Sequence, residues 1–314
     1  MTQPTNTFDT YDSIGNREEL SDIIYSISPT DSPFMSMAAR GKAAATYSEW
    51  QTDSLSAAVT TNAVIEGDEA TMDASVATTR VGNYLQISDK TVTISGTEEV
   101  VNKAGRKSEI AYQIAKKGKE LKRDMEAVLT TNQAQVAGNS TTARKLGSLG
   151  SWIATNDVLG SGGASPTGDG TDARTDGTQR AFTETLLKSV IQSCWTEGGD
   201  PTCVMTGPFN KTVVSSFTGN STRFDKGEDK RLVAAIDVYE SDFGALEIIP
   251  NRFSRDRDAW VLDKSMWEVK YLRPFQQWEL SKTGDSEKRQ MVAEFTLCSR
   301  QEKASGLIAD LTTS

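Results

Sequence analysis

The chain is 314 residues long with 37% hydrophobic and 25% charged residues, enough for one or two domains with a sizeable core. Its 43 acidic against 34 basic residues leave a net charge of −9, which disfavours a high-affinity nucleic-acid reader with a basic stripe but allows weak contact with packed DNA. Histidine is absent, which removes the commonest general base and metal ligand, and no stretch approaches the roughly 20 apolar residues of a membrane span.

The charge is concentrated at one end. Residues 1–96 carry 5 basic and 13 acidic side chains, and their apolar residues stand singly in Ser/Thr/Ala-rich text, as in Thr46-Tyr47-Ser48-Glu49-Trp50. Such a segment cannot bury enough surface to offset its ordering entropy alone. Trp50, Tyr84, Leu85 and Ile87 argue against simple disorder, so the segment reads as an arm and an extended hairpin completed by other subunits. Within the arm, Leu20, Ile23, Ile24 and Ile27 recur at helical spacing, and Pro29 with Asp31-Ser32-Pro33 marks a stop. Phe34, Met35 and Met37 then read either as anchors against another surface or as part of a short element packed on its own domain.

From Thr46 to Gly96 the pattern is β-type. Val81, Leu85 and Ile87 share one parity and Val92 and Ile94 the other, which predicts a turn or bulge at Ser88-Asp89-Lys90. Glu66-Gly67-Asp68-Glu69 and Asp73 do not follow a calcium-loop spacing and read as a hairpin tip, solvated or facing a basic neighbour.

The strongest element is predicted from Thr97 to about Gln135. Ala104, Ala111, Ile114, Gly118, Leu121, Met125 and Val128 form one apolar stripe along a helix of roughly 35 to 40 residues, ~55 Å long. Glu98 and Glu99 sit near its start, where the helix dipole favours acids. Lys116, Lys117 and Lys119 belong to a basic face that either meets the acidic arm or is simply solvated. Residues 138–172 hold eight of the 24 glycines and read as a flexible loop, without the sequence of a phosphate cradle.

A compact α/β unit is predicted next. It has a helix through Phe182, Leu186, Leu187, Val190 and Ile191, ending at Gly198-Gly199, and a short buried strand at Cys203-Val204-Met205. A second helix runs through Val213, Val214 and Phe217, and strand candidates follow at 231–239, 246–249 and 259–262. The run Arg255-Asp256-Arg257-Asp258 reads as a charged turn. Cys194, Cys203 and Cys298 have no paired spacing and fit buried thiols in a reducing cytosol. From Met266 onward, alternation through Trp267, Val269 and Tyr271, through Trp278 and Leu280, and through Met291, Ala293, Phe295 and Leu297, with Gly284-Asp285 between, predicts a β-hairpin.

Three stretches together resemble the HK97-type major capsid proteins of tailed bacteriophages, in the branch of podovirus- and siphovirus-like shell proteins of about this length. They are Thr7-Phe8-Asp9-Thr10 to Leu20 with Ser28-Pro29-Thr30-Asp31-Ser32-Pro33-Phe34; the long helix after an extended β-loop; and Leu272-Arg273-Pro274-Phe275 with Leu280-Ser281-Lys282-Thr283-Gly284-Asp285-Ser286 and Glu294-Phe295-Thr296-Leu297. The resemblance implies an α+β fold divided into an N-terminal arm (1–46), an extended β-hairpin loop (47–96) and a spine helix of the peripheral domain (97–137). A Gly-rich loop (138–180), an axial α/β domain (181–265) and a peripheral hairpin with the C-terminus (266–314) would follow.

It further implies a head-shell protein of the virion, assembled in the host bacterial cytoplasm as pentamers and hexamers of itself around double-stranded DNA. A separate scaffolding protein is expected, because shell-type sequence begins almost at once; a portal protein is a further partner, and a decoration protein is left open. No catalytic residue, metal, cofactor or membrane contact is expected. Phe34, Met35, Trp50, Glu66, Asp68, Glu69, Lys116, Lys117 and Lys119 are the expected intersubunit contacts, and removal of Met1 to Gly41 should leave a folded protein that forms no shell. The competing readings are a tail-tube or decoration protein, or a hydrolase using a carboxylate pair; among 43 acids no pair stands out for the last.

Overall fold

A computed structural model describes residues 31–69, 72–101, 107–217 and 237–314. The predicted helix over Leu20–Ile27 lies outside the described residues. Pro33 supplies the fixed φ suited to a first helical position, where its missing N–H costs nothing, and it opens the short helix α1 (Pro33–Met37). Strand β1 (Ala39–Lys42) follows directly. Strands β2 (Tyr47–Thr52) and β3 (Thr79–Tyr84) pair antiparallel from Tyr47↔Tyr84 to Thr52↔Thr79 and form the base of a long excursion.

Strand β4 (Gln86–Ser95) turns away from that base and runs beside the C-terminal hairpin in unbroken register, from Gln86↔Phe295 to Ser95↔Ser286. The parity change expected at Ser88-Asp89-Lys90 is therefore absent. The chain is re-aimed earlier, at Leu85, which is fully buried and donates its amide to Thr46 O. Val92 and Ile94 then face inward while Ile87 falls on the outer face. The free part of the loop is thus residues 53–78, shorter than the 47–96 expected.

The predicted single long helix is two. Helix α2 (Gly96–Val100) is capped by Ser95 and ends at Val101 in extended conformation. Helix α3 (Glu109–Leu129) starts afresh at Ser108, whose hydroxyl accepts from Ala111 N. The Glu99 carboxylate accepts from the amides of Glu109 and Ile110 at 3.0 and 3.2 Å, so it serves the start of the second helix. Of the predicted stripe, Leu121 and Met125 are fully buried, Leu129 takes the inward place beside half-buried Val128, and Ala104 lies outside the described residues; α3 itself spans ~31 Å, not ~55 Å. At the far end Thr130 returns its hydroxyl to Glu126 O, and Gln133 pairs with Ser148 through backbone and hydroxyl.

The Gly-rich segment is no loose flap. It contains α4 (Leu149–Trp152) and β5 (Asp157–Val158), and Leu146, Leu149, Trp152 and Ile153 lie in the main core. Its glycines allow close approach: a Cβ at Gly160 would stand 2.1 Å from Thr178 O.

Helix α5 (Glu184–Thr196), β6 (Cys203–Thr206), α6 (Pro208–Val214), β7 (Val238–Ser241), β8 (Gly244–Pro250) and β9 (Ala259–Leu262) match the predicted α/β unit, although residues 231–236 of one strand candidate lie outside the described ones. The hairpin is β10 (Trp267–Leu280) and β11 (Ser286–Ser299). Its register shifts between Tyr271 and Gln276, around Pro274, which has no N–H to give the ladder. Strand β12 (Gly306–Ile308) does not stay with the hairpin as expected; it enters the second sheet between β5 and β9.

Two larger sheets result, ordered β1-β10-β11-β4 and β5-β12-β9-β6-β8-β7. The period of two explains how the second serves two cores. Cys203, Met205, Trp260, Leu262, Leu307 and Ala309 face the main core with Phe34, Trp267 and Phe295. Val204, Ala259, Val261 and Ile308 face α5 and α6.

The run at 255–258 is more than a turn. Arg255 reaches Asp176 at 2.6 Å, Arg257 reaches Asp310 at 2.6 Å, and Arg174 reaches Asp258 at 2.5 Å. The side chains of Arg174, Asp258 and Asp310 are wholly buried. Three cations and three anions thus tie the Gly-rich segment, the β8–β9 connection and Asp310, two residues beyond β12. Asp310 holds φ 60, and its Oδ2 accepts from Gly160 N.

Candidate assembly interface

Every residue from Asp53 to Glu69 and from Met72 to Arg80 is exposed. That includes Leu55 at 99% and Met72 at 90%, together with Val59 and Val76. A monomer gains nothing by holding six large aliphatic side chains in water on one excursion. The base is firm, with Tyr47 and Tyr84 rings 4.5 Å apart and Arg80 paired to Glu49 at 2.7 Å. Asn83, fully buried at the root of β3, accepts from Gly147 N and donates to Gly147 O and Leu297 O. The loop therefore projects from a fixed stem.

The tip carries Glu66, Asp68 and Glu69, all exposed. Asp68 N donates to Ile65 O at 3.1 Å, and Gly67 takes φ 84, closing a turn that glycine alone adopts readily. On α3, Lys116 and Lys119 are exposed, whereas Lys117 is half-buried and pairs with Glu120 at 2.7 Å. That hydrogen bond holds the Glu120 carboxyl below its ordinary value, against a small effect of burial.

The other three expected contact residues pack within their own chain. Phe34 is fully buried and lies edge-on to Trp267 at 6.5 Å; Met35 is buried beside it in the same chain's core. Trp50 is half-buried, packs on Trp152 at 5.3 Å and lies under Lys270 Nζ. Apolar residues after a polar arm look alike in sequence whether their partner is the same chain or another, and here it is the same chain.

The holder of α1 is one that sequence reasoning missed. Glu126, fully buried, accepts from Phe34 N at 2.7 Å, Met35 N at 2.9 Å and Asn251 Nδ2 at 2.7 Å. Burial raises its carboxyl above the usual value, opposed by these three bonds. An acid directly beside Met125 on the inward stripe was the available signal. Deleting Met1 to Gly41 would remove α1 and expose this site.

The thiols of Cys194, Cys203 and Cys298 are buried, and burial pushes them up to about 12, about 12 and about 11. Among the described residues no group of three acids, cysteines or histidines could hold a metal, and no helix is long and apolar enough to cross a membrane.

A family model described as SU10 major capsid protein matches residues 3–312. A protein of Escherichia phage Phieco32 named major capsid protein is 28% identical over 344 residues, covering 98% of this chain and 97% of that one. Among solved structures, the cyanophage A-1(L) capsid asymmetric unit superposes with TM-score 0.64 at 13% identity, covering 98% and 99% of the two chains. A chain of Gordonia phage Cozz does so with TM-score 0.61 at 12% identity, covering 99% and 98%. At these identities the superpositions speak for the fold alone.

Proposed function

The chain belongs to the SU10 major capsid protein family, and from that membership we propose how its copies build a phage head. Its fold is the α+β HK97-type shell fold, and its function is that of a shell-forming major capsid protein of the virion.

In the proposed mechanism, copies associate into pentamers and hexamers that close into an icosahedral shell around double-stranded DNA. The observation that carries this reading is the extended loop, whose aliphatic side chains stand in water although its stem is fixed. Burying them on a neighbour would supply ~25 cal/mol per Å² of apolar surface, spread over many small contacts that can still dissociate and correct errors. Lys116 and Lys119 on α3 would add salt-dependent attraction for acidic neighbours. The residues before Ser32, which carry five acids and one arginine up to Thr30, serve as the arm. Assembly takes place in the host cytoplasm with a separate scaffolding protein and a portal. DNA contact is weak and non-specific, as the net charge of −9 favours. We assign the chain no catalytic role.

Electron microscopy with sedimentation, on the protein alone and with candidate scaffolding partners, tests the reading. Closed particles or rings of five or six copies are expected. A monodisperse monomer under every condition would overturn it.

A further inference from the structure

Two aromatic rings stand outside both cores. Trp195, in the last turn of α5, and Phe243, in the turn between β7 and β8, have ring centres 5.2 Å apart and planes 36° apart. They are 57% and 36% exposed, and neither joins the buried clusters on the two sides of the second sheet. Both are nevertheless held in place. Ser241 Oγ donates to Gly244 O at 2.7 Å and accepts from Phe243 N at 3.3 Å, which fixes the turn. Helix α5 closes with Gly198 N donating to Trp195 O at 3.0 Å and Gly199 N to Cys194 O at 2.8 Å. The pair is therefore preorganised, while its exposed apolar surface does nothing for the isolated fold.

The charge around the rings has one sign to spare. Asp242, directly before Phe243, is exposed and makes no ion pair among the described residues, and its charge is felt at Lys188 and at the Tyr239 hydroxyl. Glu197 follows two residues after Trp195. The cations of this neighbourhood are already engaged, Lys188 with Glu184 at 2.9 Å and Lys303 with Glu197 at 3.1 Å. An aromatic face is itself the negative pole of the ring. Two such faces beside a free carboxylate make a seat for a cation.

We propose that the Trp195–Phe243 pair is a docking site for an arginine- or lysine-bearing segment of a second protein. The cation lies on the two rings, and Asp242 supplies its counter-charge. Two rings and a carboxylate fall far short of the roughly 1,200 Å² that a specific interface between whole subunits buries. The surface thus suits a short segment and not a second copy of this chain. A net charge of −9 draws basic partners in the same sense. The site goes beyond the shell reading and does not depend on it; a shell would present it once per copy, so that weak single contacts add up.

The test uses the purified full chain. A fluorescein-labelled Gly-Ser peptide bearing four arginines is titrated with it and followed by anisotropy. Trp195→Ala with Phe243→Ala should weaken binding at least about tenfold, and Asp242→Asn about threefold, the second loss vanishing at about 1 M salt. Trp195→Tyr should keep most of the affinity and Trp195→Leu should not, because leucine offers apolar surface without a charged face. The same peptide with citrulline in place of arginine should bind at least about tenfold more weakly to the native chain. Native affinity in the Trp195→Leu chain, or equal binding of the citrulline peptide, would overturn the proposal.

Spermidine bound as tightly as the peptide would make a free polyamine the occupant and overturn the assignment to a protein segment. If the double-alanine chain forms no particles where the native chain does, the pair is a contact between subunits and the proposal falls. If the native chain forms no particles, the shell reading fails while the titration still decides this site. The three side chains are exposed, so melting temperatures should stay within a few degrees. Should the double-alanine chain unfold, Asp242→Asn and the citrulline peptide decide the matter.

Discussion

The guanidinium of Arg174 meets the carboxylate of Asp258 at 2.5 Å, and neither side chain reaches solvent. Burial pushes the Asp258 carboxyl up, against the pull of Arg174 and Arg255. Removing one partner leaves the other charge stranded. Arg174→Met should therefore cost about 3–5 kcal/mol in denaturant unfolding, and Arg174→Met with Asp258→Leu markedly less than that. A double variant as unstable as the single one would show that the pair contributes through its own attraction and not through avoided stranding.

Glu126 makes a separate prediction at the start of the described chain. Glu126→Ala leaves the amides of Phe34 and Met35 and the Asn251 side chain without their acceptor. The expected loss is about 3 kcal/mol, at ~1 kcal/mol or more for each stranded donor. Amide exchange over residues 33–42 should accelerate well before global unfolding. Unchanged protection there would mean that Phe34 packing alone holds α1.

Replacing residues 53–78 by Asn-Gly joins Thr52 to Thr79 across the last pair of β2 and β3. Every described side chain lost is exposed, so the melting temperature should stay within a few degrees while particle formation in electron micrographs disappears. A melting temperature lowered by ten degrees or more would assign the loop a role in the monomer.

Acid acts on the ion network with a definite sign. Burial raises the Asp176 carboxyl, but its hydrogen bond to Arg255 and the charges of Arg255, Arg174 and Arg257 carry it below its ordinary 3.8. A carboxyl lowered in the folded state contributes stability that is fully present above its unfolded value and is lost as pH falls through the lowered one. Asp176→Asn should thus destabilise at pH 6 and have little effect well below pH 3.8, as read from urea midpoints across pH. A midpoint difference that is constant with pH would exclude the charge as its origin.

Charge reversal at Lys116 and Lys119 should slow assembly most at low salt, followed by light scattering, because exposed charges are screened within ~10 Å at 0.1 M. Adding Lys117→Glu should change little further in assembly, since that ammonium is already engaged with Glu120.

The parts legible in the sequence were those in which one local pattern decides the element. Alternation from Trp267 to Leu297 gave the hairpin, and Leu186, Leu187, Val190 and Ile191 gave α5, whose buried face also includes Cys194. The loop was legible through composition, because scattered apolar residues in acidic text cannot build a core. The helix after it was read by its stripe, which continues past a break set by Ser108 and Val101; caps fix ends and periodicity does not. The ion network was illegible for a different reason: Asp258 and Arg174 are 84 positions apart, and Arg257 and Asp310 are 53 apart. The buried Gly-rich segment was misread because close backbone approach and flexibility use the same residue. Phe34 and Met35 were identified as anchors, but no single-chain pattern says whose surface they meet.

The position of β12 also sets an order of events during synthesis. It is the strand between β5 and β9, so the six-stranded sheet has a gap until residues 306–308 have left the ribosome. Leu307 and Ile308 each close one of the two cores, and Asp310 completes the ion network just after. A nascent chain on a polysome can hold its neighbours' loops close by, yet it lacks a finished body to offer them. The body is thereby finished only when residues 306–310 have joined it.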